Sequence, residues 1–386
     1  MSSDDSNVLH VIGSDTPSAR LEVLKVLRAQ PGLGRQRVVQ LGGGSVECTG
    51  LGAVERVPAP LGVGWLARRS LQDAVSPAGL TVVHIWSAKA LEWVMPAAKR
   101  DQRLEPTERA PDYRLLMDVE FPVDFDRLAS AFSWLWSEGR MGFVAPTVAV
   151  RKNLASVGVS PDDCVLIRDS VDFAAINAVS RSDVRSHLGL SAEDTAVLVL
   201  PPVLRETGAS VAAWAALLLV QVRPNVRLVV PGVGREVDRV VRLIESCRHE
   251  WMLRTAGRSL ASGELVAAAD LVVYLPPGDA PASGLSWALA AGTPIVAAAV
   301  PATTELLTHG HNAWLCRADD PKAAARRMLQ ALEDRQQSEN QGRLARSEVF
   351  GLFSRRRMIE QYRRTYETLL ADRRVAGGVA ESALTR

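Results

Sequence analysis

The amino-acid sequence predicts an α/β protein of two doubly wound domains, similar in size, facing each other across a cleft. Three observations carry that prediction. Short β-branched apolar runs alternate with amphipathic stretches from end to end, the pattern of parallel sheets covered on both faces. The rhythm restarts after RDSVD at 168–172. A chain of 386 residues also exceeds what one core ordinarily organises.

In the first half the apolar runs predict strands at Val8–Ile12, Arg37–Leu41, Thr81–Trp86, Tyr113–Met117, Gly142–Ala145 and Cys164–Ile167. Helical spacing predicts Ser18–Ala29, Trp65–Ala74, Ala88–Lys99, Asp124–Gly139 and Val148–Ser156 between them. In the second half AVLVLPPV reads as a strand entering a loop, ASVAAWAALLLVQV as a helix and VRLVVPG as a second strand, followed by a helix from Arg235 to Glu250. ELVAAADLVVYLPP and GLSWALAAGTPIVAAA each read as helix then strand, and DPKAAARRMLQALED as a helix. SRRRMIEQYRRTYETLLADRR closes the pattern with Met358, Ile359, Tyr362, Tyr366, Leu369 and Leu370 at helical spacing. The expected domains are 1–172 and 173–352, with a helix over 353–374 and a frayed Gly/Ala-rich tail over 375–386.

With 47% hydrophobic and 23% charged residues, the composition is that of a globular chain with a large core. A net charge of +2, from 45 basic and 43 acidic residues, excludes nucleic acid as an electrostatically obligatory partner. Cys48, Cys164, Cys247 and Cys316 lack metal-type spacing and read as core thiols of a reducing compartment. The acidic start MSSDDSNVLHVIGS does not resemble a signal peptide, and no apolar run reaches bilayer length, so the expected location is cytoplasmic.

Ligands of doubly wound sheets bind at the carboxyl ends of the strands, and one segment there carries chemistry. In SGLSWALAAG, small residues lead into an Ala/Leu helix that stops at Gly292, with Pro294 beyond. Ser283, Gly284, Leu285 and Ser286 therefore stand at a helix start, where free amides and the dipole favour an anion such as a diphosphate. Ser283 as a plain N-cap and Gly284 as a turn residue is the alternative.

LSWALAAGTPIVAAAVPATTELLTHGHNAWLC resembles the donor-binding segment of family 4 retaining glycosyltransferases, with Ala288, Ala290, Gly292, Pro294, Ala297, Glu305, Leu306, Gly310, Asn312 and Leu315 in matching places. VLIRDSVDF, VAVRKNLASVGV, ELVAAADLVVY and TVVHIWSAKALEWV resemble other segments of the same family, so the similarity covers about 8–374. The resemblance implies the GT-B fold, two Rossmann-like domains with the last helix crossing back onto the first. It also implies a nucleotide-sugar donor on the second domain, a carbohydrate or lipid-linked acceptor on the first, and no metal or other cofactor.

The sequence departs from that family where donor charge is handled. In PPVLRETG, Pro202 and Thr207 replace the family's Arg and Lys, and Arg205 is the nearby substitute cation. Asp279 stands for the first carboxylate and Trp287 for the second; Trp287 either stacks on a ring or packs inside the domain, the packing being favoured. The first-domain histidine is replaced within LLMDVEF, leaving Asp118 and His84, with Asp279, as the candidate catalytic residues. Asp279, Ser283, Gly284, Leu285, Ser286, Arg205 and Glu305 are the candidate donor-binding residues. Two functions follow, sugar transfer with retention or a catalytically inactive scaffold that binds a glycan, a nucleotide or a protein partner. The final basic helix also admits contact with a membrane surface, a weaker reading because the crossing helix already accounts for its apolar stripe.

Overall fold

The computed structural model describes residues 7–14, 16–41, 50–57, 81–92, 94, 113–120, 141–257, 259–278, 280 and 282–371. The expected helices at Trp65–Ala74 and Asp124–Gly139, the end of Ala88–Lys99 and the tail over 375–386 lie outside these residues. The chain divides into two compact units, unit 1 from 1–168 with 356–386 and unit 2 from 169–355.

Unit 1 holds a seven-stranded sheet built from β1 (Asn7–Gly13), β2 (Arg35–Leu41), β3 (Val54–Val57), β4 (Thr81–Ile85), β5 (Tyr113–Asp118), β6 (Met141–Ala145) and β7 (Cys164–Leu166). All pairs are parallel and the order is β3-β2-β1-β4-β5-β6-β7. Alternation along each strand divides the core between the faces. Val8, Val82 and Leu116 join one apolar cluster, while Leu9, Val83 and Leu115 join the other. The first cluster is covered by α1 (Ser18–Arg28) and by the last helix, whose Met358, Tyr362, Tyr366 and Leu369 are buried in it. The second is covered by Ala90, Leu91 and Val94 and by α2 (Val148–Ser156). Burying the tyrosine stripe takes the apolar face of the last helix away from any membrane.

Unit 2 begins with α3 (Phe173–Asn177) and α4 (Arg181–His187), then forms a six-stranded parallel sheet. Its strands are β8 (Thr195–Val199), β9 (Val226–Pro231), β10 (Leu253–Gly257), β11 (Leu271–Tyr274), β12 (Ile295–Ala298) and β13 (Trp314–Cys316), in the order β10-β9-β8-β11-β12-β13. The helices are α5 (Ala209–Leu219), α6 (Arg235–Ser246), α7 (Ser262–Ala268), α8 (Leu285–Ala291), α9 (Pro301–Thr304), α10 (Pro321–Glu333) and α11 (Arg335–Val349), and α12 (Arg355–Leu370) returns the chain to unit 1. α5 packs between α6 and α10, and α8 packs on α7 and α11. The chain enters and leaves unit 2 along one seam, where Val171 N–H donates to the Phe353 carbonyl at 3.0 Å and Arg355 meets Asp172 at 2.9 Å.

The differences from the sequence expectation have physical reasons. The expected helix Arg235–Glu250 stops at Ser246, where Arg248 takes φ +58° and breaks the turn. β3, Val-Glu-Arg-Val, is an edge strand with exposed Glu55 and Arg56 and so has no apolar run to read. α11 was invisible to periodicity because its buried face consists of Ser338, Gln341, Gly342, Ala345 and Val349. That small-residue face lets α11 approach α8 very closely. A Cβ on Gly342 would stand 2.0 Å from the Gly292 carbonyl oxygen, a backbone atom that cannot swing aside. Gly342→Ala is expected to destabilise unit 2 by about 2 kcal/mol or more, measured by urea denaturation, while Gly351→Ala, which meets open space, stays near wild type.

Candidate functional site

In unit 2 the strand order reverses between β8, which pairs with β9, and β11, which pairs with β8 and β12. The carboxyl ends of these strands are where an open parallel sheet leaves a crevice. Two segments emerge there, 200–208 after β8 and 275–284 after β11, and they touch through their glycines. Gly208 has φ +78°, and a Cβ on it would lie 1.7 Å from the Leu275 carbonyl oxygen; a Cβ on Gly284 would lie 2.0 Å from that of Pro201. The bare Cα of Gly284 thus receives the chain's own backbone, a role distinct from the approach to phosphate that its sequence context suggests.

The candidate donor residues can be placed one by one. Arg205 is exposed within the first segment. Thr207, where a lysine is expected, is buried and closes that segment, its hydroxyl accepting from Leu204 N–H at 3.0 Å and donating to the Pro202 carbonyl at 2.8 Å. Ser286 is buried and its hydroxyl donates to the Ser283 carbonyl at 2.8 Å. Leu285 is fully buried and its amide is taken by the Ala282 carbonyl at 2.9 Å, which removes it from the set expected to face an anion. Glu305 follows α9 beyond β12, half-buried at the same end of the sheet. Trp287 turns to the other side of its helix, where a Cβ on Gly263 would meet the indole at 3.0 Å and Ile176 at 3.5 Å; the ring packs among α3, α7 and α8. Asp279 lies outside the described residues.

His84 and Asp118 are elsewhere, in the interior of unit 1, on the sheet face covered by α1 and α12. Both side chains have no exposed surface. Asp118 ends β5 and takes an ion pair from Arg20 of α1 at 2.7 Å and a hydrogen bond from the Tyr362 hydroxyl of α12. His84 Nδ1 shares a 2.9 Å hydrogen bond with the Tyr366 hydroxyl, and its Nε2 stands 3.6 Å from Asp118, beyond hydrogen-bond length. His10 lies across β1, accepting at Nδ1 from Trp86 Nε1–H at 3.2 Å, with Nε2 3.0 Å from the Gln36 side chain; that pairing fits a neutral ring protonated at Nε2. Sequence reading did not find Arg20, because no local pattern links α1 to a strand 98 residues away.

Burial fixes the charge states here. Burial by itself raises the Asp118 carboxyl, but the Arg20 guanidinium, with His84 and Tyr362, outweighs it and holds the group below the usual carboxylate range. Burial lowers His84 despite Asp118 beside it, and lowers His10 further with His84 nearby. Burial, then Asp118, pushes the Tyr362 and Tyr366 phenols up, so both stay neutral donors. The thiols of Cys164 and Cys316 are pushed by burial up to about 12 and about 11, far from nucleophilic use at neutral pH. Among the described residues no group of three or more His, Cys, Asp or Glu side chains is arranged to hold a metal ion.

A cavity of about 850 Å³ in unit 2 is lined by Thr195, Val226, Asp270 and Pro294, at the amino ends of β8, β9, β11 and β12. Asp270 occupies its wall, clamped by Arg181 at 2.5 Å and Arg185 at 3.0 Å while accepting from Ala196 N–H at 2.8 Å. Volume alone does not make it the candidate site, because the ligand crevice of such a sheet is at the opposite ends.

Gly284→Ala is expected to cost about 3 kcal/mol of stability, read by chemical denaturation, because the added methyl meets a backbone carbonyl. Asp118→Asn, which takes the carboxylate from buried Arg20, is expected to cost about 3 kcal/mol or more. The sign of the pH effect follows from the lowered histidines, whose unfolded forms bind protons that the folded forms refuse. Stability is therefore whole above the ordinary histidine value of about 6.5 and is lost as pH falls from there toward the folded-state values. Denaturation midpoints at pH values on either side of that point should differ for the wild type and differ less for His84→Phe.

Residues 180–348 match the family described as Glycosyl transferases group 1. The curated relative N-acetyl-alpha-D-glucosaminyl L-malate synthase of Bacillus anthracis is 27% identical over 148 residues, a stretch that is 38% of this chain and only 39% of that protein's own length. Among solved structures, Anabaena HepE in complex with UDP and glucose superposes with a TM-score of 0.78 at 19% identity, covering 94% of this chain and 99% of HepE. Sucrose-phosphate synthase from Thermosynechococcus elongatus gives 0.71 at 16% identity, covering 95% and 100%. Two parallel sheets of seven and six strands, with these neighbours, are the GT-B fold, and within it residues 180–348 of unit 2 are the stretch that matches Glycosyl transferases group 1.

Proposed function

We propose that the protein transfers a sugar, with retention of configuration, from a nucleoside-diphosphate donor on unit 2 to a carbohydrate or lipid-linked acceptor on unit 1. The observation that carries this reading is the family match over 180–348, which contains the switch point of the unit 2 sheet and both segments that emerge from it. HepE, of like fold, is described with UDP-glucose, which favours a uridine nucleotide as the first donor to try.

In this reading the diphosphate meets the amides around Ser283, Gly284 and Ser286, and exposed Arg205 supplies the cation that Pro202 and Thr207 do not. Asp279 and Glu305 contribute polar contacts near the sugar and the nucleotide. Positioning and stabilisation of the leaving diphosphate carry most of the rate, and no metal takes part.

A second reading, a catalytically inactive scaffold that binds a glycan, a nucleotide or a protein, is favoured by specific observations. Thr207 is spent on its own turn, Trp287 packs on Gly263, and His84 and Asp118 are sealed under α12. Titration calorimetry with UDP, GDP and ADP, followed by an assay for sugar transfer from the corresponding nucleotide-sugar, separates the two. The expected outcome is binding of one nucleotide with a Kd on the order of 1 μM, lost in Ser283→Glu and weakened about tenfold in Arg205→Ala. No heat with any of the three nucleotides sinks the transferase reading and leaves the scaffold.

A further inference from the structure

α5 is apolar on every side. From Ser210 to Val222 the sequence SVAAWAALLLVQV contains no charged residue, although the helix has only one sheet to cover. Ala212, Ala213, Ala215, Ala216 and Leu219 serve that core. The outer face carries Trp214, 47% exposed, and Leu218, 42%, and the turn after the helix adds Val222, 62%, each four residues after the last. Helices normally place polar side chains there. Of the seven exposed large apolar side chains among the described residues, six lie between Leu204 and Trp251 in the sequence, Leu204 and Val233 in the loops after β8 and β9, Trp214, Leu218 and Val222 on α5 or close after it, and Trp251 between α6 and β10. Gln221 at the end of the helix bonds His249 at 3.1 Å, and His249 stacks beside exposed Trp251, which extends the apolar strip by a second indole.

The helices on either side of α5 supply a basic rim. On α6, Arg235, Arg239 and Arg242 are exposed and recur at helical spacing. Glu236 fixes that stripe beside α5, accepting from the Ser210 hydroxyl at 2.7 Å while Arg239 approaches it at 3.5 Å. The exposed acids of α6, Asp238 and Glu245, neighbour Arg242 at four and three residues, on the flank away from Glu236. On α10, Lys322 and Arg326 are exposed, with Glu333 at the far end.

We propose that the outer face of α5 seats unit 2 on an anionic lipid surface. An apolar strip bearing tryptophan sits at the depth where indoles partition, and arginines and lysines at its edges reach lipid phosphates while their stems stay in the apolar zone. At eleven residues α5 is too short to span, so it lies in the plane of the surface. The rim also argues against a second copy as the occupant: pairing this face with itself sets the basic flanks of one chain against those of the other.

Flotation of the intact protein with vesicles tests this. Vesicles of phosphatidylcholine mixed with phosphatidylglycerol are expected to carry the protein at low salt and release it as salt rises, while phosphatidylcholine alone carries little. Trp214→Ser/Leu218→Ser/Val222→Ser should lower binding by more than about tenfold without lowering the thermal midpoint, since none of the three is a core residue. Arg239→Gln/Arg242→Gln leaves α5 untouched and should weaken binding about fivefold for each charge removed. Absence of wild-type binding to the anionic vesicles, or full binding by both variants, overturns the proposal. So does sedimentation showing a dimer that the triple variant dissolves, which assigns the strip to a second copy.

Discussion

A carboxylate without access to water must be given positive charge and donors from whatever the chain can bring to it, and in unit 1 that requirement decides what packs where. Asp118 ends a central strand, so its partners have to come from the layer above the sheet. They come from α1 and α12, the first through Arg20 and the second through Tyr362. His84, on the neighbouring strand, adds Tyr366 of the same helix. Apolar burial brings α12 to the sheet, and the polar cluster fixes its register, because a slide of one turn separates both phenols from their acceptors.

Unit 2 solves its geometry by the opposite means, with backbone against backbone. The segments at the switch point are held where the carbonyls of Leu275 and Pro201 occupy the space of absent side chains at Gly208 and Gly284. The same device recurs between α8 and α11 at Gly342. A side chain cannot enter such contacts, whereas exposed loop residues beside them, such as Arg205, meet no such constraint. That asymmetry lets the two segments keep their course while Pro202, Thr207 and Trp287 stand where charged groups are expected.

The sheets were legible in the sequence because strands buried on both faces must be written as apolar runs, and each such run that falls on described residues is a strand. Elements whose buried faces lack large apolar residues left no such trace, as in α11 with Ser338, Gln341 and Gly342. The candidate site was legible as a list and less so as an arrangement. Gly284 stood out, but its contact with Pro201 is a tertiary fact. Spacing gives no hint that the Leu285 amide is used within its own turn, or that His84 and Asp118 are enclosed by residues from both ends of the chain. The outer face of α5 could not be told from its buried one in the sequence, since the period that reveals one apolar face is erased when every face is apolar.

Unit 1 is discontinuous, and synthesis makes that matter. Its sheet is complete by residue 166, but the helix that covers it ends 204 residues later, after all of unit 2. While the chain emerges, one face of the first sheet is covered by α1 but still lacks α12, with Asp118 and Arg20 short of the tyrosines that finish their shell. Unit 2, continuous from 169 to 355, can close before its predecessor does. The first half of this protein is thus the last to be finished, and a nascent chain halted before Tyr362 presents an incomplete sheet face to the chaperones that meet it.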